Sequence, residues 1–211
     1  MTSIRARWLL VAAAVCAGAG GFWLAQQLDR GSPRLASGTW LPQPKTVADF
    51  QLTDTTGRPF TRLDLRGAPT LVFFGFTHCP DVCPTTLLKL AQVQKRGAIA
   101  GLRVLFISVD PQRDTPPALG LYVHAFDPQF QGLTGDSRSI AAVAANFGVA
   151  VNRVELPGGD YTMDHSAVVF LVDDAARIAA IFTPPFDVAA LSADLHSVAP
   201  WLGSGRARAG T

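Results

Sequence analysis

The sequence predicts an α/β sandwich with a mixed β-sheet, preceded by one N-terminal transmembrane helix. Three observations carry this. Two nearly unbroken apolar runs, Pro69–Phe76 and Leu102–Val109, flank a helical stretch, as parallel strands buried on both faces do. Two further runs, Ala167–Val172 and Arg177–Phe182, meet at the short turn Asp173-Asp174-Ala175-Ala176 and are followed by a helix, which reads as an antiparallel pair closing the sheet. Finally, no charged residue interrupts Trp8–Leu28.

That uncharged run is long enough to span a bilayer core of about 30 Å, which takes ~20 helical residues. Arg5 and Arg7 before it favour an N-in orientation, a bias that Arg30 and Arg34 reduce. Trp8 and Trp23 suit the interfaces. A cleaved signal peptide is the alternative, with Ala17-Gly18-Ala19 as its small-residue site. The run is longer than the usual signal core of about 7–15 residues, which favours a retained anchor. Cys16 reads as a small apolar residue of the span, because Val15 is bulkier than a lipoprotein site takes. Too few residues precede the span for an organelle transit peptide. The expected location is a bacterial inner membrane, crossed once, with the soluble domain in the periplasm. The expected organisation is an anchor at 1–28, a linker at 29–46, a domain at 47–202 and a flexible tail at 203–211. Gly31, Ser32, Pro33, Gly38, Pro42 and Pro44 break any regular pattern in the linker.

In the domain, Asp49–Thr53 alternates like a strand, turns at Thr56-Gly57 and resumes at Pro59–Thr61. A helix is expected from about Pro84 to Arg96, with Leu87, Leu90, Ala91 and Gln94 at helical spacing. After the second buried strand, Asp110–Pro117 is a loop. Its Asp114 or Thr115 should cap a helix that starts near Pro116 and runs to about Phe126. Phe130–Thr134 is a short strand and Ser137–Phe147 a helix. Val149–Leu156 and Tyr161–Met163 flank the turn Pro157-Gly158-Gly159-Asp160. Val188–Val198 is the last helix. This order is the thioredoxin-like (peroxiredoxin-like) plan. Open α/β sheets place their sites at the carboxyl ends of the strands.

A dithiol falls at such a place. Cys79 and Cys83 stand four positions apart, after the strand and at the start of the helix, each followed by a proline. A helix N-terminus favours negative charge, and thiolates are both redox nucleophiles and soft metal ligands. A pair of thiolates suits copper(I) or zinc, and a third ligand should be a histidine. His78 adjoins Cys79 and should point away from the site. His124 and His196 lie within helices. His165 directly precedes the strand Ala167–Val172, in the loop that faces the dithiol in this fold. Thioredoxins place a cis-proline there, so a histidine favours a metal site over a general disulfide oxidoreductase. Asp164 is the candidate oxygen partner of the His165 ring. Asp81, between the thiols, either tunes the charge of the site or is a solvated helix-start carboxylate. Asp110, Arg113 and Asp114 read as turn and cap chemistry.

Three stretches in order, Gly75-Phe76-Thr77-His78-Cys79-Pro80-Asp81-Val82-Cys83-Pro84-Thr85-Thr86-Leu87, Ser108-Val109-Asp110-Pro111-Gln112-Arg113-Asp114-Thr115-Pro116 and Asp164-His165-Ser166, resemble the Sco/SenC family of copper chaperones for cytochrome c oxidase. The resemblance covers roughly residues 47–200. It implies that Cys79, Cys83 and His165 hold copper(I) or copper(II). It also implies delivery to the binuclear CuA site of cytochrome c oxidase subunit II, with reduction of that target's disulfide as an accessory activity. The chain would then be a carrier and not an enzyme. Its partners would be subunit II, a periplasmic copper donor and a thiol reductase that reopens a Cys79–Cys83 disulfide. A periplasmic thiol–disulfide oxidoreductase and a copper or redox sensor are the competing readings. With a net charge of +2, 16% charged residues and no basic stripe, nucleic acid is not an expected partner. Three cysteines are too few for a disulfide scaffold.

Overall fold

The structure, a computed structural model, describes Trp8, residues 14–23 and residues 33–203. The chain divides into two compact units after Pro33. In the first, Trp8 and residues 14–23 are helical. Among the described residues no helix is long and apolar enough to cross a membrane. The expected span Trp8–Leu28 lies partly outside the described residues, and so does most of the expected tail.

Among its described residues the second unit holds ten strands: β1 (Gly38–Thr46), β2 (Gln51–Asp54), β3 (Pro59–Thr61), β4 (Thr70–Gly75), β5 (Arg103–Ser108), β6 (Gln131–Thr134), β7 (Val151–Glu155), β8 (Tyr161–His165), β9 (Val169–Val172) and β10 (Arg177–Phe182). Four α-helices alternate with them: α1 (Val82–Lys95), α2 (Pro116–His124), α3 (Ser137–Phe147) and α4 (Val188–Val198). Eight strands form one sheet in the order β1-β10-β9-β4-β5-β6-β2-β3. β4, β5 and β6 run parallel, and the remaining pairs are antiparallel. The mixed α/β architecture is therefore the expected one.

The centre of the sheet follows directly from composition. Every residue of β4 is buried, and so is all of β5 after Arg103. Their register is in step, with Gly75 opposite Ser108, so both strands present their carboxyl ends at one level. The chain leaves β4 there to form the dithiol loop and leaves β5 there to form the loop Val109–Thr115. α1 packs against α4, and α2 against β6.

The expected linker is corrected at its second half. Residues 38–46 form β1, an edge strand paired with β10. Edge strands tolerate proline, because one row of backbone N–H groups needs no ladder partner. Pro42 and Pro44 lie where the register slips, between Trp40 and Lys45. The nearly buried Asp194 carboxylate of α4 fastens the stretch before β1, accepting from the Ala36 and Ser37 backbone N–H groups and from Ser37 Oγ. The second compact unit accordingly starts at Arg34 and not at residue 47.

The β7–β8 hairpin is a two-stranded sheet of its own. Gly158 and Gly159 turn it with φ of 94° and 86°, a left-handed region that favours glycine. β8 continues two residues past the expected Met163. His165 is consequently the last residue of a strand, opposite Val151, and not part of a loop.

Candidate metal centre

Cys79 lies in the loop after β4 and is half-buried, whereas Cys83, in the first turn of α1, is fully buried. The turn is closed by the Cys79 N–H, which donates to the Phe76 carbonyl at 3.3 Å. The Cys83 N–H, one of the helix-start donors without an intrahelical partner, donates to Cys79 Sγ at 3.4 Å. All three cysteines are free thiols.

Gly75 makes room for the buried sulfur. A Cβ at that position would stand 2.8 Å from Cys83 Sγ and 2.7 Å from the Phe106 ring. Neither neighbour is the loose end of a flexible side chain. Gly75→Ala is therefore expected to destabilise the fold by about 1–3 kcal/mol through overpacking and to push Cys83 out of its place. Urea unfolding measures the first effect. The rate of Cys83 alkylation in the folded protein measures the second and should rise; an unchanged rate would mean that the sulfur does not depend on the missing Cβ.

His165 comes to this sulfur from the other side, with Nε2 3.7 Å from Cys83 Sγ across 82 positions of sequence. Its ring stands edge-on to Phe76 at 5.9 Å and to Phe73 at 6.4 Å between centroids. Nδ1 faces the Ser166 carbonyl at 3.3 Å. With the proton on Nδ1 donating to that oxygen, the Nε2 lone pair points to Cys83. The oxygen partner of the ring is thus the Ser166 carbonyl and not Asp164. Neighbouring strand residues point to opposite faces, and Asp164 is exposed. It acts on His165 only through its charge.

Burial governs the electrostatics of both groups. It pushes the Cys83 thiol well up, against the opposing donation from the Phe76 N–H. It holds the His165 imidazole below its ordinary value, against the smaller pull of the Ser166 carbonyl and the Asp164 charge. At neutral pH the pair is a protonated thiol beside a neutral imidazole. Among the described residues no three His, Cys, Asp or Glu side chains form a closed metal cluster. Cys83 and His165 already meet, and Cys79 reaches them through the Cys83 backbone.

The remaining expected positions divide. Asp81 is exposed at the N-cap of α1, makes no bond to the helix backbone from its side chain, and accepts from Thr85 Oγ1 at 3.2 Å. His78 is exposed, with Nδ1 3.0 Å from Thr77 Oγ1, and so points outward as expected.

The second loop does far more than turn and cap. Asp114 is completely buried and accepts from the Thr77 N–H, Thr77 Oγ1 and Ser108 Oγ at 3.1, 2.6 and 2.6 Å. It therefore fixes the start of the dithiol loop against the end of β5, while Thr115 occupies the N-cap of α2. Asp110, also buried, accepts from Tyr161 Oη at 2.8 Å and pairs with Arg113. Tyr122 was not singled out by its position in the sequence. Its buried hydroxyl has no hydrogen-bond partner among the described residues, and burial followed by the charges of Cys83 and Cys79 pushes its ionisation up. The available signal for Asp110 and Asp114 was two carboxylates close after a nearly apolar strand, where a solvated turn is not the only outcome; no such signal pointed to Tyr122.

Comparison with known proteins places the chain in a family. The family model described as SCO1/SenC matches residues 40–200. The Bos taurus protein "Protein SCO2 homolog, mitochondrial" is 40% identical over 176 residues, which are 78% of this chain. The chain covers 64% of that relative's own length. The structure of Bradyrhizobium japonicum ScoI with copper bound is 42% identical, with a TM-score of 0.65 over 71% of this chain and 97% of that one. The structure of Arabidopsis thaliana ScoI with copper bound is 36% identical, with a TM-score of 0.68 over 71% and 94%. This chain belongs to the SCO1/SenC family, with its thioredoxin-like fold.

Proposed function

We propose that the chain is a copper metallochaperone whose cargo is held by Cys79, Cys83 and His165 and passed to the CuA site of cytochrome c oxidase subunit II. The observation that carries this is the 3.7 Å approach of His165 Nε2 to Cys83 Sγ, with Cys79 one helical turn away. Two thiolates and a neutral imidazole suit copper(I), a soft ion content with few ligands. The copper-bound structures of two relatives support the same cargo. Cys79 is half-buried at the surface of the loop, so an incoming thiolate can reach the ion and exchange ligands one at a time. In this reading residues 1–28 anchor the chain in a bacterial inner membrane by a single span. The domain then stands in the periplasm, where a donor supplies copper.

The dithiol also couples cargo to redox state. If Cys79 and Cys83 pass two electrons to a disulfide of the target, the target gains two thiols and this chain gains a Cys79–Cys83 disulfide, which cannot hold copper until a periplasmic reductase acts. The deciding experiment mixes the reduced full chain, loaded with copper(I), with the reduced CuA domain of subunit II. One copper per chain should be bound and should move to the CuA domain, and the oxidised chain should take up none. Copper that stays put there, while the metal-free reduced chain reduces the disulfide of an oxidised CuA domain in a parallel arm, would leave an oxidoreductase and remove the chaperone.

A further inference from the structure

We infer that Arg113 is a positioning residue that latches the β7–β8 hairpin to the body of the domain and so holds His165 against Cys83. The inference rests on the reading of His165 as a copper ligand. The hairpin shares no ladder with the main sheet, so only its short connections to α3 and β9 and the contacts of its side chains and turn set where it lies. The Arg113 guanidinium bonds in two directions. Nε pairs with the buried Asp110 on its own loop. Nη1 donates to the Tyr161 carbonyl at 3.1 Å and to Asp160 at 3.4 Å, in the hairpin and 47 to 48 positions away.

The same three groups close a second link, because Tyr161 Oη donates back to Asp110 at 2.8 Å. The guanidinium lies 3.9 Å from the centroid of the Tyr161 ring and 6.0 Å from that of Phe76, and Phe76 stands edge-on to the His165 imidazole. Tyr161 begins β8 and His165 ends it. A clamp at one end of this five-residue strand therefore fixes the other end, where the imidazole must stay within reach of the thiol. A pair serving only to close the Asp110–Arg113 turn would have no use for the bonds to Asp160 and Tyr161.

Lysine cannot replace arginine here, because an ammonium lacks the planar fork that bonds Asp110 and the Tyr161 carbonyl together. The test uses the full chain, reduced and metal-free, as Arg113→Ala, Arg113→Lys and Tyr161→Phe. Amide exchange in β7 and β8 should accelerate in all three, least in Tyr161→Phe, with β4 and β5 unchanged. Copper(I) affinity, from competition with a chelator, should fall about 10- to 100-fold in Arg113→Ala, the range for groups that orient a metal ligand. In a His165→Ala background the same change should cost nothing further. Hairpin exchange in Arg113→Ala that matches the native rate would overturn the latch. So would an equal loss of affinity with and without His165. Tyr161→Phe removes only one hydroxyl and keeps the question open to decision should Arg113→Ala fail to fold. If His165→Ala leaves copper binding intact, the ligand reading falls, while the exchange rates still decide the latch.

Discussion

Replacing His165 with alanine is expected to weaken copper(I) binding by the reduced protein more than about 100-fold, since even the outer partners of metal ligands are worth about 10- to 100-fold. In the proposed site the change removes one donor of three and leaves the two cysteines. The loss should persist to a lower pH than an ordinary imidazole ligand would allow, and the sign follows from burial. A ligating imidazole must be neutral. Burial lowers the His165 value below its ordinary 6.5, so the neutral form persists as the solution becomes more acid. The advantage of the native protein therefore shrinks only at a lower pH than it would for an imidazole with the ordinary value. An imidazole with a raised value would show the opposite, a gap closing at a higher pH. Both proteins should share one further trend. The Cys83 thiol is pushed up by burial and stays protonated through the neutral range, so copper must displace its proton. That alone raises affinity about tenfold per pH unit. Chelator competition at three pH values measures all of this. A gap under about tenfold, or one that vanishes at pH 6, removes His165 from the ligand set.

How much of this was readable before the structure depends on how far each residue's partner lies along the chain. β4 and β5 were readable because their burial on both faces leaves a continuous apolar run. α3 was readable to the residue, because Asp136 caps its first N–H groups and Gly148 leaves it at φ 77°. β1 was not, since two prolines hide an edge strand whose partner, β10, lies more than a hundred positions later. At the candidate site, the residue types of the proposed ligands were readable and their supports were not. Cys79, Cys83 and His165 announce themselves by chemistry. The carboxylate of Asp114 looks locally like any helix cap, and only the fold brings Thr77 to it from 37 positions away. Arg113 likewise meets Tyr161 only after the hairpin has folded back. The assignment of Asp164 as the ring's oxygen partner failed for a simpler reason. Alternation along β8 turns its side chain outward, and a main-chain carbonyl, which no side-chain pattern reveals, takes the bond.

The largest effect on stability is expected at Asp114, and it should carry through to the dithiol. Its carboxylate takes three hydrogen bonds in complete burial. Bonds to a charged group are worth about 1.5–3 kcal/mol each but do not add, so Asp114→Ala should cost about 3 kcal/mol. For a chain of this size that is a fall of roughly 6–12 °C in melting temperature. Asp114→Asn keeps one acceptor oxygen but turns an NH2 toward groups that donate, and should recover less than half of the loss. Two consequences separate this from a generic core defect. The Thr77 N–H would lose its acceptor, so the loop Phe76–Asp81 should loosen and Cys79 should react faster with an alkylating agent. Ser108 Oγ, which accepts from the Asp110 N–H at 3.0 Å while donating to Asp114, would also be set free. Asp110 is the fixed point for both Arg113 and Tyr161. Loss of Asp114 therefore disturbs the cysteine loop directly and the histidine hairpin through one hydroxyl. A melting temperature within about 2 °C of native, or an unchanged Cys79 rate, would show that the two halves of the site are held by other contacts.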